Sequence, residues 1–85
     1  MNSFLDLGRE IAKARRGRHL TQADTAQRAG IALSTLARFE AGLATEFGLR
    51  KFLAVLDVLG CELRLAPRGH ARTLDDVLAE RTKQR

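Results

Sequence analysis

The run "AQRAGIALSTLARFEAG", residues 26–42, limits the possible folds more than any other part of the chain. Glycine stops a helix cheaply because it enters left-handed backbone with no Cβ to clash. Gly30 therefore ends one helix, and Gly42 ends the next. The spacing predicts a short helix over about Gln22 to Ala29 and another over about Leu33 to Ala41. In "TQAD", Thr21 can cap the first of these, with Asp24 at the third helical position reaching back. Two helices this short cannot enclose a core, so the rest of the chain must supply their packing partners.

Those partners are visible as periodic apolar runs. Phe4, Leu7, Ile11 and Ala14 predict a helix over about Phe4 to Arg16, capped by Ser3. "RGRHL" ends it, and Gly17 and His19 both tolerate left-handed backbone. After the loop "LATEF", residues Leu49, Phe52, Leu53 and Leu56 fall at i, i+3, i+4 and i+7, with Val55 and Val58 widening the stripe and Gly60 closing it. The period then changes. In "CELRLAP", Cys61, Leu63 and Leu65 alternate with Glu62, Arg64 and Ala66, which predicts a strand ended by Pro67. A lone strand leaves backbone donors and acceptors unmet, and no second strand pattern occurs in the chain. The expected partner is the same strand of another copy, with Val58, Cys61, Leu63 and Leu65 at a homodimer interface. "RGHAR" reads as a linker. Thr73 and Asp76 could cap a last short helix from Leu74 to about Lys83, striped only by Leu74, Val77 and Leu78. The expected organisation is a domain over residues 1–67 and a tail over 68–85.

The chain has 85 residues, 45% of them hydrophobic, with no Trp or Tyr, so the core is expected to be mostly aliphatic. The single cysteine allows no internal disulfide and fits a reducing compartment. The segment Phe52 to Leu59 is cut by Asp57 and is too short for a membrane span, and Asp6 interrupts any leader-like run. These features predict a cytoplasmic protein that does not engage membranes. The net charge is +5. It lies at the two ends: residues 1–20 hold Arg9, Lys13, Arg15, Arg16 and Arg18 against Asp6 and Glu10, residues 21–60 balance, and residues 61–85 hold six basic against four acidic side chains. A small basic chain of this kind suits a polyanion, nucleic acid first.

No catalytic constellation is present, and no enzyme activity, metal or cofactor is expected. His19 and His70 have no partner at metal-ligand spacing. Asp75 and Asp76 open a helix, where acidic residues suit the dipole. Cys61 falls at an inward strand position and reads as core rather than nucleophile.

Two short helices joined by a glycine turn form a helix-turn-helix. With Leu36 set at zero and about 100° per residue, Phe39 and Glu40 fall beside it on one face. Ser34, Ala37, Arg38 and Ala41 fall between about 100° and 200°, on the outer side. A merely solvated helix would carry several Lys and Glu there. Small side chains instead let the backbone sink into a major groove about 12 Å wide, and one long donor can reach a base edge.

"LTQADTAQRAGIALSTLARFEAG" resembles the Xre/phage-repressor helix-turn-helix family, through "LTQ", Ala26, Gly30, Ile31, Leu36, Phe39 and the "E-x-G" that follows. "LRKFLAVLDVLGCELRLAP" narrows the resemblance to HipB-type antitoxins, whose C-terminal strands pair across a dimer. The resemblance implies a mainly α, lambda-repressor-like bundle of four to five short helices plus one strand shared in a homodimer. It implies a sequence-specific repressor that inserts its third helix into a palindromic double-stranded DNA operator. It also implies a HipA-like kinase toxin as partner. A free-standing repressor without a toxin fits residues 1–67 equally, and an adaptor that has lost DNA binding is a third reading. By the same resemblance, Ala32, Leu33, Ser34, Ala37 and Arg38 meet bases, and Thr21, Gln22 and Thr45 meet phosphates. Arg38 would bond guanine, and Leu33 would meet a thymine methyl. Arg15 and Glu40 take the positions of the family's internal ion pair, the alternative for Arg15 being a phosphate contact. Thr25 stands where Leu is usual and Ala29 where a larger aliphatic is common, so the second helix is expected to be underpacked. Ala32 gives the third helix no side-chain cap.

Overall fold

A computed structural model describes residues 3–68. Four helices follow in order: α1 (Phe4–Gly17), α2 (Gln22–Ala29), α3 (Leu33–Glu40) and α4 (Leu49–Val58). Each expected helix in this range is present. α1 runs one residue further than the spacing predicts, and α3 ends one residue earlier.

The caps explain the boundaries. The Ser3 hydroxyl accepts from the Asp6 backbone N–H and starts α1. At α2, Thr21 Oγ1 accepts from Asp24 N–H at 2.9 Å, and the Asp24 carboxylate accepts from Thr21 N–H at 3.5 Å, completing the expected reciprocal pair. Gly30, at φ +73°, turns the chain out of α2 in left-handed backbone. Between α1 and α2, His19 takes the left-handed turn at φ +58°. Ala32 gives α3 no side-chain cap, as its sequence requires.

α1 and α2 both pack on α3, and α4 packs on α2. The interior is built on Leu36, Phe39, Val55 and Leu59, joined by Ile11, Ala26, Phe47 and Leu56. Phe39 organises it: its ring stacks on Phe47 at 4.2 Å between centroids and meets Phe52 and Phe4 edge-on. Gly8 lets α1 cross α3 closely, since a Cβ there would overlap the Phe39 carbonyl.

Some expectations change. Thr25 is completely buried, and its hydroxyl donates to the Thr21 carbonyl at 3.0 Å, so the polar atom carried in place of a leucine is satisfied. Cys61 is exposed rather than core, because the segment that carries it lies at the rim of the subunit. Residues 61–67 form no regular element within the single chain, and no strand occurs among the described residues. Val58 is half-buried, Leu63 is 49% exposed and Leu65 is 95% exposed. The last helix expected over Leu74 to Lys83, with His70, Asp75 and Asp76, lies outside the described residues. Among the described residues, no helix is long and apolar enough to cross a membrane.

Candidate nucleic-acid interface

α3 presents its outer side as the angular reading requires. Leu36, Phe39 and Glu40 are buried, while Ala32, Leu33, Ser34 and Arg38 are exposed. Ala37 is half-buried, at the margin of the open face rather than on it. Leu33, at the first helical position, is 48% exposed.

One carboxylate beneath this face gathers three helices. Glu40, at the end of α3, accepts from Arg15 Nε and Nη2, both at 2.8 Å, in a bidentate pair. Arg15 reaches it from α1 and also donates through Nη1 to the Leu20 carbonyl at 2.9 Å, closing the α1–α2 turn. Gln22 reaches it from the first residue of α2, donating Nε2–H to Glu40 Oε1 at 2.9 Å. The two charged side chains are only 10% and 5% exposed. Burial pushes the Glu40 carboxyl up, but the bonds from Arg15 and then Gln22 outweigh it and hold the group below its ordinary range. The bond to Glu40 raises the Arg15 pKa against the opposing effect of burial. Arg15 and Glu40 thus form the ion pair the resemblance implies.

The Gln22 bond is one that sequence reading misses. Gln22 is expected at a phosphate, yet one of its amide hydrogens is taken by Glu40. A primary amide carries two N–H donors, so the second determines what Gln22 can do outward. Thr21 is exposed, although its oxygen is already an acceptor in the α2 cap. Thr45 is exposed and shares a shallow hollow with Thr35, Arg38, Ala44 and Glu46. Arg38 bends toward the same loop, its Nη2 donating to the Leu43 carbonyl at a long 3.4 Å. The chain that leads from α3 to α4 therefore shapes how Arg38 is presented.

Compared with known families, residues 11–65 match the helix-turn-helix family. The chain belongs to the Xre/phage-repressor helix-turn-helix family, whose members are DNA-binding transcription regulators. No curated protein and no solved structure matches it. The match spans the end of α1, the helix-turn-helix of α2 and α3, all of α4 and the segment to residue 65. The ion pair and the glycine turn both lie inside it.

Proposed function

We propose that this helix-turn-helix protein is a sequence-specific transcriptional repressor that binds a palindromic operator as a homodimer. Each subunit lays α2 across the phosphates and places α3 in the major groove. The observation that carries this reading is the outer side of α3. It is exposed, nearly free of charge and small in profile apart from Leu33 and Arg38, and it follows a left-handed glycine turn. Ser34 and Arg38 supply hydrogen bonds to base edges. Leu33, with Ala32 and Ala37, supplies apolar surface for a thymine methyl. Thr21, Thr45 and the second amide hydrogen of Gln22 meet phosphates, aided by the positive end of α2.

Selection from random duplexes tests this directly. It should enrich an inverted repeat with half-sites about one helical turn apart. Arg38→Ala should cost about 1–3 kcal/mol on that site and relax preference at one base pair. Affinity should fall steeply with salt as phosphate contacts release counterions. An absence of enrichment, or binding insensitive to salt, would leave an adaptor role instead.

We extend the proposal one step, to the antitoxin of a type II toxin–antitoxin pair with a HipA-like kinase toxin. Its support is the resemblance of residues 49–67 to HipB-type antitoxins. Co-expression with the adjacent open reading frame decides between this and a free-standing repressor. Relief of growth arrest supports the antitoxin; a neighbour that is harmless when expressed alone removes it.

A further inference from the structure

Residues 61–65 carry more information than the existence of a dimer. Leu63 lies over the seam between α1 and α4 and borders two adjoining apolar hollows there. One, of about 400 Å³, is formed with Phe4, Phe47, Leu49 and Phe52. The other, of about 380 Å³, has an apolar floor of Leu7, Ile11, Phe52 and Leu56 and is bordered by the charged side chains of Glu10, Glu62 and Arg64. Leu65, next in the alternation, borders neither of these hollows and stands 95% exposed. Between these positions, Arg64 Nε and Nη2 bond Glu62 Oε1 at 3.0 and 2.8 Å, so within the single subunit the two largely exposed charges pair with each other at the edge of the second hollow. Among the described residues, no hydrogen bond ties the backbone of 62–66 to another element.

We propose that two copies pair residues 61–65 antiparallel in a single register, with Leu63 opposite Leu63 on the two-fold axis. Leu65 of the partner subunit then lies opposite Cys61 and covers the second hollow. This rests on the dimer reading above and specifies its geometry.

The register follows from charge and face. In an antiparallel ribbon, directly opposed residues share a face, with Cβ atoms about 4.5–5.5 Å apart. Centring on Leu63 gives one wholly apolar row, in which Leu63 meets its copy and each Cys61 meets a Leu65. The other face then sets Glu62 opposite Arg64 twice. Centring on Glu62 brings two carboxylates together, and centring on Arg64 brings two guanidinium groups together, both unfavourable. A centre between residues puts leucine beside charge on one face. Among centres from Glu62 to Arg64, only Leu63 satisfies both rows, and centring on Cys61 or Leu65 gives up the doubled Glu62–Arg64 pairing. It also supplies an apolar side chain to a hollow that the subunit leaves open.

Cysteine cross-linking of the full chain under mild oxidation tests the register. In the native sequence the two Cys61 residues lie four positions apart along the ribbon, about 14 Å at about 3.4 Å per residue. That exceeds the Cα separation of about 4.4–6.8 Å that a disulfide spans. The native protein should therefore remain uncross-linked. Leu65→Cys should convert most chains to a disulfide dimer, with Cys61 joined to position 65 of the other chain in peptide mapping. Leu63→Cys with Cys61→Ser should cross-link through one symmetric bond. Glu62→Arg should weaken the dimer in sedimentation, and adding Arg64→Glu should restore it. Cross-linking of the native Cys61 as ready as that of Leu65→Cys overturns the register. So does failure of both cysteine variants to cross-link in a protein that sediments as a dimer. A monomer in sedimentation overturns the ribbon altogether. The DNA selection stands apart: if it enriches nothing while the cross-links form, the repressor reading fails and the register holds.

Discussion

Arg15→Met removes a guanidinium but keeps most of an apolar stem, so it isolates the charge from the packing. In the native subunit that guanidinium makes two 2.8 Å bonds to Glu40 and one of 2.9 Å to the Leu20 carbonyl. After the change, a carboxylate 5% exposed retains a single neutral donor, Gln22. Breaking one side of a buried pair costs about 3–5 kcal/mol. A chain of this size is stable by only about 4–13 kcal/mol in total. Each kcal/mol moves the midpoint of a small domain by about 4–8 °C, so melting should fall by at least about 12 °C.

The pH dependence separates charge from packing. Glu40 in the native fold titrates below its ordinary range, because the bonds from Arg15 and Gln22 overcome burial. A lowered folded pKa contributes stability above the unfolded value of about 4.3 and loses it as pH falls through the folded value. In Arg15→Met, burial persists without its main opponent, so the folded pKa rises above the unfolded one. The penalty then acts above the unfolded pKa and is relieved on protonation. Denaturant unfolding followed by circular dichroism, at pH 7 and pH 4 and one protein concentration, should show the gap between native and variant narrowing toward acid. A gap below about 1 kcal/mol at pH 7, the worth of an exposed pair, or one unchanged at pH 4, would refute the reasoning.

Gly8→Ala places a methyl against the Phe39 carbonyl, so α1 must move off α3; the unfolding free energy from denaturant titration should fall by about 1–3 kcal/mol, as for overpacking. An increase of about 1 kcal/mol, the usual gain for alanine over glycine within a helix, would mean that the crossing is looser. Gly30→Ala meets open space, so its cost is only the left-handed backbone, about 1–2 kcal/mol. Gly30→Asn should recover part of that loss in the same assay, and a much larger cost would point to a packing contact at the turn.

Local signals made the helices legible. Ser3, the Thr21–Asp24 pair, Gly30 and the apolar period act within a few residues of where they stand, so tertiary context did not override them. Features that depend on how helices cross were not legible. The Gln22 bond to Glu40 exists only because α2 and α3 meet at that angle, and nothing in "TQAD" announces it. Gly8 did leave a signal, since a glycine kept inside a helix marks close approach, but the partner surface could come only from the fold. Alternation in "CELRLAP" predicts a strand that the single subunit does not form. It could not show that one subunit leaves Cys61 and Leu65 exposed. The α3 angles placed Arg38 outward correctly and were silent on the Leu43 carbonyl that bends it toward the loop.

α3 has eight residues, no side-chain cap and no acid in its first turn, so it has little tendency to be a helix alone. Leu36 and Phe39 hold it to the core, but apolar contacts are tolerant of small rotations. Glu40 is not, because its two oxygens must meet a planar fork from α1 and an amide from α2. The network therefore sets the direction of α3 more than it adds stability. Arg15→Met with Glu40→Met removes both charges at similar volume, and stability should return to within about 1 kcal/mol of native, since such replacements are often neutral. If direction is what the network supplies, this stable double variant should still bind the selected operator about tenfold or more weakly, a loss of about 1.4 kcal/mol. Its binding to non-specific DNA should change little, because phosphate contacts tolerate small rotations that base contacts do not. Native operator affinity in a double variant of native stability would show that packing by Leu36 and Phe39 orients α3 unaided.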